Sequence, residues 1–142
     1  MRLALALALA TVPFAAATAA TSTLTAASGS WVRLFTRDVE TALGRSVRVD
    51  AASVTAGGLG RSFRELDVLV KARGRYPAGT RQFSLRSVDC NTGRVRMEQW
   101  QLVSASGAVL DGSAVPGSIE RVQWDKQDGL VLRYVCQGIV PR

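Results

Sequence analysis

The chain is 142 residues long, has 18 Lys and Arg against 11 Asp and Glu, and carries a formal charge of +7, with two cysteines and no histidine. That length makes one domain rather than two. Without histidine there is no Ser-His-Asp or Cys-His catalysis, and the commonest zinc and haem ligand is missing. Walker and Ser-x-x-Lys patterns are absent as well, so the chain reads as a binding or structural protein, not an enzyme, with no cofactor and no metal.

Residues 1–20 read as an export signal. Arg2 gives a short positive start, Leu3 to Ala10 with Val12, Pro13 and Phe14 form the apolar core, and Ala17-Thr18-Ala19 supplies small residues before a cut near Ala19 or Ala20. Thr11, Pro13 and Thr18 interrupt the run, which argues against a membrane span of about 20 apolar residues. No cysteine lies near the cut, so no lipid anchor of the lipoprotein type is expected. The expected location is the periplasm or the exterior. Export removes nucleic acid as the partner of a basic chain and leaves acidic glycans, lipid head groups or acidic proteins. Two cysteines in an oxidising compartment are most simply one bond, Cys90 to Cys136.

Residues 21–30 are small, polar and aperiodic, and read as a flexible leader; residues 31–142 are the domain. Trp31 to Arg37 reads as the first strand, and Asp38 to Gly44 as a loop or one helical turn closed by Gly44. Ser46 to Asp50 is a short strand with Val47 and Val49 on one face. Gly58-Leu59-Gly60 is a hairpin tip; a phosphate loop would need a third glycine and a following helix.

Ser62 to Ala72 is the longest strand, with Leu66, Val68 and Val70 on one face and Asp67, Leu69 and Lys71 on the other. Glu65 and Asp67 share a face, read as a solvated surface beside arginines, because acids without a pocket make no acid–base pair. Lys71 to Arg81 is a basic loop marked by Gly74, Pro77 and Gly79.

Arg81 to Cys90 is a strand with Phe83 and Leu85 on one face and Arg86, Val88 and Cys90 on the other, which calls for a bulge or for cover on both sides. Asn91-Thr92-Gly93 is a tight turn. Arg94 to Ser104 returns with Val95 and Met97 inside, and a second bulge or second buried surface is needed to explain Trp100 and Leu102. Ala108 to Leu110 is a short apolar run between turns, Val115 to Ser118 is a turn, and Ile119 to Trp124 alternates loosely.

Asp125 to Gly138 reads two ways. As a strand, Leu130, Leu132, Tyr134 and Cys136 align. As a helix, Lys126, Arg133 and Gln137 group on one side, with Val131, Leu132, Tyr134 and Val135 opposite. Asp125 can cap its start, Gly138 can end it and Pro141 stops it, while Gly129 and Leu130 count against it. The balance favours the helix.

The series Val49-Asp50, Ser53-Val54, Leu66 to Val70, Asp89-Cys90, Arg94, Arg96, Trp100, Val115-Pro116-Gly117-Ser118 and Tyr134-Val135-Cys136 resembles the surface-adhesin protein E-like domains of Gram-negative envelopes, over nearly the whole mature chain. The resemblance implies an α+β fold: an antiparallel sheet of about six strands with a C-terminal helix tethered by one disulfide. It also implies surface or periplasmic binding of host or envelope macromolecules, and some such domains dimerise.

The candidate contact residues are Arg73, Arg75, Tyr76 and Arg81, with Arg94 and Arg96 second; the arginines would pair with anionic groups. An edge strand could mediate a homodimer. The alternative is a periplasmic carrier of a small apolar or haem-like ligand held by Met97, Trp100 and Trp124.

Overall fold

A computed structural model describes residues 23–141; the expected signal and its cut lie outside the described residues. Eight antiparallel strands form one sheet: β1 (Trp31–Arg33), β2 (Arg45–Asp50), β3 (Thr55–Gly57), β4 (Gly60–Leu69), β5 (Arg81–Asp89), β6 (Arg94–Val103), β7 (Val109–Ser113) and β8 (Glu120–Arg121). Six of them run in the order β1-β2-β4-β5-β6-β7, while β3 pairs with β4 and β8 with β6. The fold is α+β, with the additional short strands at the margins. Helix α1 (Arg37–Leu43) follows β1 and ends at Gly44 in the left-handed conformation, φ 75. Strand β1 is shorter than its apolar pattern suggests, because Leu34 and Phe35 leave it and are buried.

The bulge called for by Trp100 and Leu102 lies in β6. Leu85 pairs with Gln99 and Arg86 with Met97, so Glu98 is the extra residue. The parity of β6 flips there, which puts Val95, Met97, Trp100 and Leu102 on one face. Both faces are covered. One carries Val47, Val49, Phe63, Val88 and Val95 against the C-terminal helix α2 (Gln127–Gln137). The other carries Leu66, Phe83 and Val103 against Leu24.

Helix α2 docks through Val131, Leu132 and Val135, all buried. Burying each of these side chains contributes roughly 1.5–3 kcal/mol. Gly129, which argued against a helix, is where the backbone of Gln123 and Trp124 crosses closest. A Cβ there would collide with the Gln123 carbonyl oxygen. Lys126, not Asp125, is the N-cap, and it makes no side-chain cap bond. Gly138 ends the helix in the left-handed conformation, φ 71. Cys90 and Cys136 are bonded, with Cα atoms 5.7 Å apart, across 46 residues of sequence. Arg61 donates to the carbonyls of Val135 and Cys136 at 2.7 and 3.3 Å, supplying the charge that a helix C-terminus favours.

The segment expected to be a flexible leader is docked from Thr23 onward. Leu24 is 4% exposed. Arg64, on the face of β4 away from α2, donates to the carbonyls of Thr23, Leu24, Ala26 and Ser28. Its guanidinium also binds Asp50 at 2.6 Å and lies 5.0 Å over the Trp31 ring. One buried leucine and one arginine therefore replace the periodicity that the segment lacks.

Candidate functional site

The site grows from one row of cross-strand partners. Val47 pairs with Asp67, Asp67 with Gln82, Gln82 with Leu102 and Leu102 with Asp111. Directly paired residues point to the same face, so Asp67, Gln82, Leu102 and Asp111 form a floor three strand spacings wide, about 14 Å. The neighbouring row is Glu65, Ser84, Trp100 and Ser113. A cleft of about 390 Å³ opens over this floor, and α2 contributes none of its lining. Trp100 forms one wall. Arg45, Leu69, Arg73 and Tyr76 form the other.

The loop between β4 and β5 is held in place by its backbone. Arg73 and Tyr76 exchange N–H to carbonyl bonds of 2.8 and 3.1 Å, Gly79 N–H reaches Leu69 O at 2.8 Å, and Val70 N–H reaches Gly44 O at 3.0 Å. Buried Thr80 closes the turn by donating its hydroxyl to Pro77 O at 2.8 Å. Arg75 lies 5.1 Å over the Tyr76 ring and donates to its hydroxyl at 2.9 Å. Lys71, Arg73 and Arg75 are exposed, and none is ion-paired among the described residues.

Glu65 and Asp67 are buried, 8% and 9% exposed, contrary to the solvated face expected for them. Arg86, itself 7% exposed, donates to Glu65 Oε2 at 2.8 Å and grips both oxygens of Asp128 on α2. Asp67 Oδ2 accepts from Arg45 at 2.6 Å, whereas Asp67 Oδ1 is buried without a partner. Burial pushes the Asp67 carboxyl up to about 7, and the charge of Glu65 pushes the same way; Arg45 and Arg86 oppose this without cancelling it. Burial works against the charge on Arg86, but Glu65 and Asp128 outweigh it and raise the guanidinium pKa above its ordinary value.

Arg73 and Tyr76 thus line the cleft, with Arg75 stacked on Tyr76 beside it. The other candidates are elsewhere. Arg81 points to the opposite face, beside Phe83, and donates to Ser104 O at 3.2 Å. Arg96 is occupied by Glu98 at 2.9 Å, and Arg94 leans on Thr92 at the far end of β6. Met97, Trp100 and Trp124 line three separate hollows and cannot close on one ligand. The hollow beside the disulfide is larger, about 740 Å³, but more open, and Arg133 is its only charged side chain. The cleft gathers two arginines, two carboxylates and two aromatic rings. Arg45, Asp67, Gln82 and Asp111 were missed as site residues, although the shared parity of Phe63, Glu65 and Asp67 was a signal that the acids face a covered surface.

No helix among the described residues is long and apolar enough to cross a membrane. Compared with protein-family models, curated proteins and solved structures, the chain matches none.

Proposed function

We propose that the chain is an exported, non-enzymatic binding domain of the surface-adhesin protein E-like kind, acting on an anionic envelope or host macromolecule through the Arg73–Arg75–Tyr76 loop and the cleft beside it. The supporting observation is the loop itself: three exposed cations on a backbone fixed by hydrogen bonds, none in a salt bridge among the described residues. Ordering costs little on binding when the loop is already set. Arginine forks suit carboxylate, sulfate and phosphate groups.

The test is retention of the chain on an anionic polysaccharide matrix, with a control of equal charge. Arg73→Glu/Arg75→Glu and Arg121→Glu/Arg133→Glu change the net charge equally, and all four side chains are exposed. The first double variant is expected to elute well before the second. Equal elution overturns the reading, because only overall charge would then matter. Retention should fall as the screening length shrinks from about 10 Å at 0.1 M salt to about 3 Å at 1 M.

A further inference from the structure

Within that reading, on which the inference rests, we propose that the cleft is a subsite for a pyranose ring bearing a carboxylate, the uronic-acid unit of an acidic polysaccharide, with its C–H face on Trp100, a hydroxyl on the Asp67 carboxyl and its carboxylate on Arg73.

Each assignment follows from an unsatisfied group. The Asp67 side chain lines the cleft and keeps 12% exposure, and one of its oxygens has no partner, which is costly to leave so. A hydroxyl both donates and accepts, so it suits the Asp67 carboxyl whether that carries its proton or not. Gln82 lies on the same row, and among the described residues its side chain bonds through its N–H to Ser84, at a long 3.3 Å, which leaves its carbonyl oxygen for a second hydroxyl. Trp100 is half-buried, with its ring lining the cleft. The electron-rich face of an indole attracts the positive C–H edges of a saturated ring. Arg73 stands at the rim, exposed and unpaired among the described residues, and matches a carboxylate by its fork.

Other ligand classes fit worse. A purely apolar or haem-like molecule would bury Asp67, Gln82 and Asp111 without replacing their bonds to water. A phosphate would bring two charges towards a floor that carries Asp67 and Asp111. A cleft of about 390 Å³ lies in the span of roughly 300–1,000 Å³ common for small-molecule sites.

The experiment is a tryptophan-fluorescence and calorimetric titration with digalacturonate, galactose, glutarate and inorganic phosphate. Digalacturonate is expected to give a saturable change in both. Galactose should bind at least about tenfold more weakly, consistent with loss of one charge-assisted bond. Glutarate and phosphate, which lack the ring, should not saturate. Trp100→Phe should abolish most of the fluorescence response while calorimetric affinity stays within about threefold, since Phe keeps an aromatic face. Trp100→Ala should lose at least tenfold in affinity, a loss of about 1.4 kcal/mol. An absent wild-type response to digalacturonate, equal binding of galactose, or equal binding of glutarate or phosphate each overturns the proposal. If digalacturonate fails while matrix retention still depends on Arg73 and Arg75, only the subsite assignment falls. If both fail, the wider reading falls with it.

Discussion

Arg86 in β5 and Asp128 in the first turn of α2 are joined by two parallel bonds, 2.7 and 2.9 Å, across 42 residues of sequence. This fork pins one end of α2 to the sheet, and the Cys90–Cys136 bond pins the other. Between them Val131, Leu132 and Val135 pack on the sheet, and Arg61 holds the Val135 carbonyl. The helix is thereby fixed over one half of the face, and the row from Asp67 to Asp111 stays open as a cleft. The position of the candidate site follows from where these two clamps stop.

Removing Arg86 should cost far more than removing Asp128. Arg86→Leu leaves Glu65 buried without its partner, and uncompensated buried charge of this kind costs about 3–5 kcal/mol. Asp128 is half exposed, so Asp128→Asn should cost no more than about 1 kcal/mol. Urea denaturation of both variants checks the order; equal losses would show that the fork, not the burial of Glu65, holds the sheet face together.

Asp67 sets a pH dependence. Its folded pKa, about 7, lies above its ordinary value of 3.8, so between those values the folded state holds a proton that the unfolded state has lost. Stability from this group is complete below about pH 4 and declines as pH rises towards 7, by at most roughly 1.4 kcal/mol per pH unit. Asp50 and Glu98 act oppositely: burial raises their pKa, but Arg64 and the Ser30 N–H outweigh it for Asp50, and Ser87 and Arg96 for Glu98, so both are depressed and lose their contribution as pH falls below the ordinary carboxylate range. Urea midpoints should therefore fall from pH 4.5 to pH 7 in the wild type, and Asp67→Asn should flatten that fall.

The disulfide closes a span of 46 residues, worth about 4 kcal/mol in the chain-entropy account. Cys90→Ser/Cys136→Ser should lose about that much in urea denaturation. A loss below 1 kcal/mol would mean that Arg61 and the apolar face of α2 hold the helix without it.

Much of the fold could be read from alternation. The long strands, the tight turn after Cys90, the Gly138 stop and the cysteine pairing all rest on local patterns or on having just two cysteines. What escaped depends on partners far away in sequence. Glu65 and Asp67 looked solvated because their partners are far away in sequence, Arg86 21 residues from Glu65 and Arg45 22 residues from Asp67. Gly129 looked like a helix breaker because the strand of chain crossing it is invisible to periodicity. The cleft was half legible: Arg73, Arg75 and Tyr76 stood out by composition, but Asp67, Gln82 and Asp111 meet only through the register of four strands.

The docked leader gives an independent check on the second core. Leu24→Ala should cost about 2–3 kcal/mol, the lower part of the range for a buried leucine. Arg64→Met should leave the sheet folded but expose the chain before Trp31 to protease, as its carbonyl bonds to Thr23, Leu24, Ala26 and Ser28 are lost. Unchanged proteolysis would show that Leu24 alone secures the segment.

The most direct test of the binding face is hydrogen–deuterium exchange of the chain with and without an acidic polysaccharide such as polygalacturonate. Protection is predicted over 70–80 and along the strands carrying Gln82 and Leu102, with no change in the turn 91–93 or around Trp124. Protection confined to the disulfide side, or spread evenly over every basic segment, would contradict the assignment of the Arg73–Arg75–Tyr76 loop and its cleft as the contact.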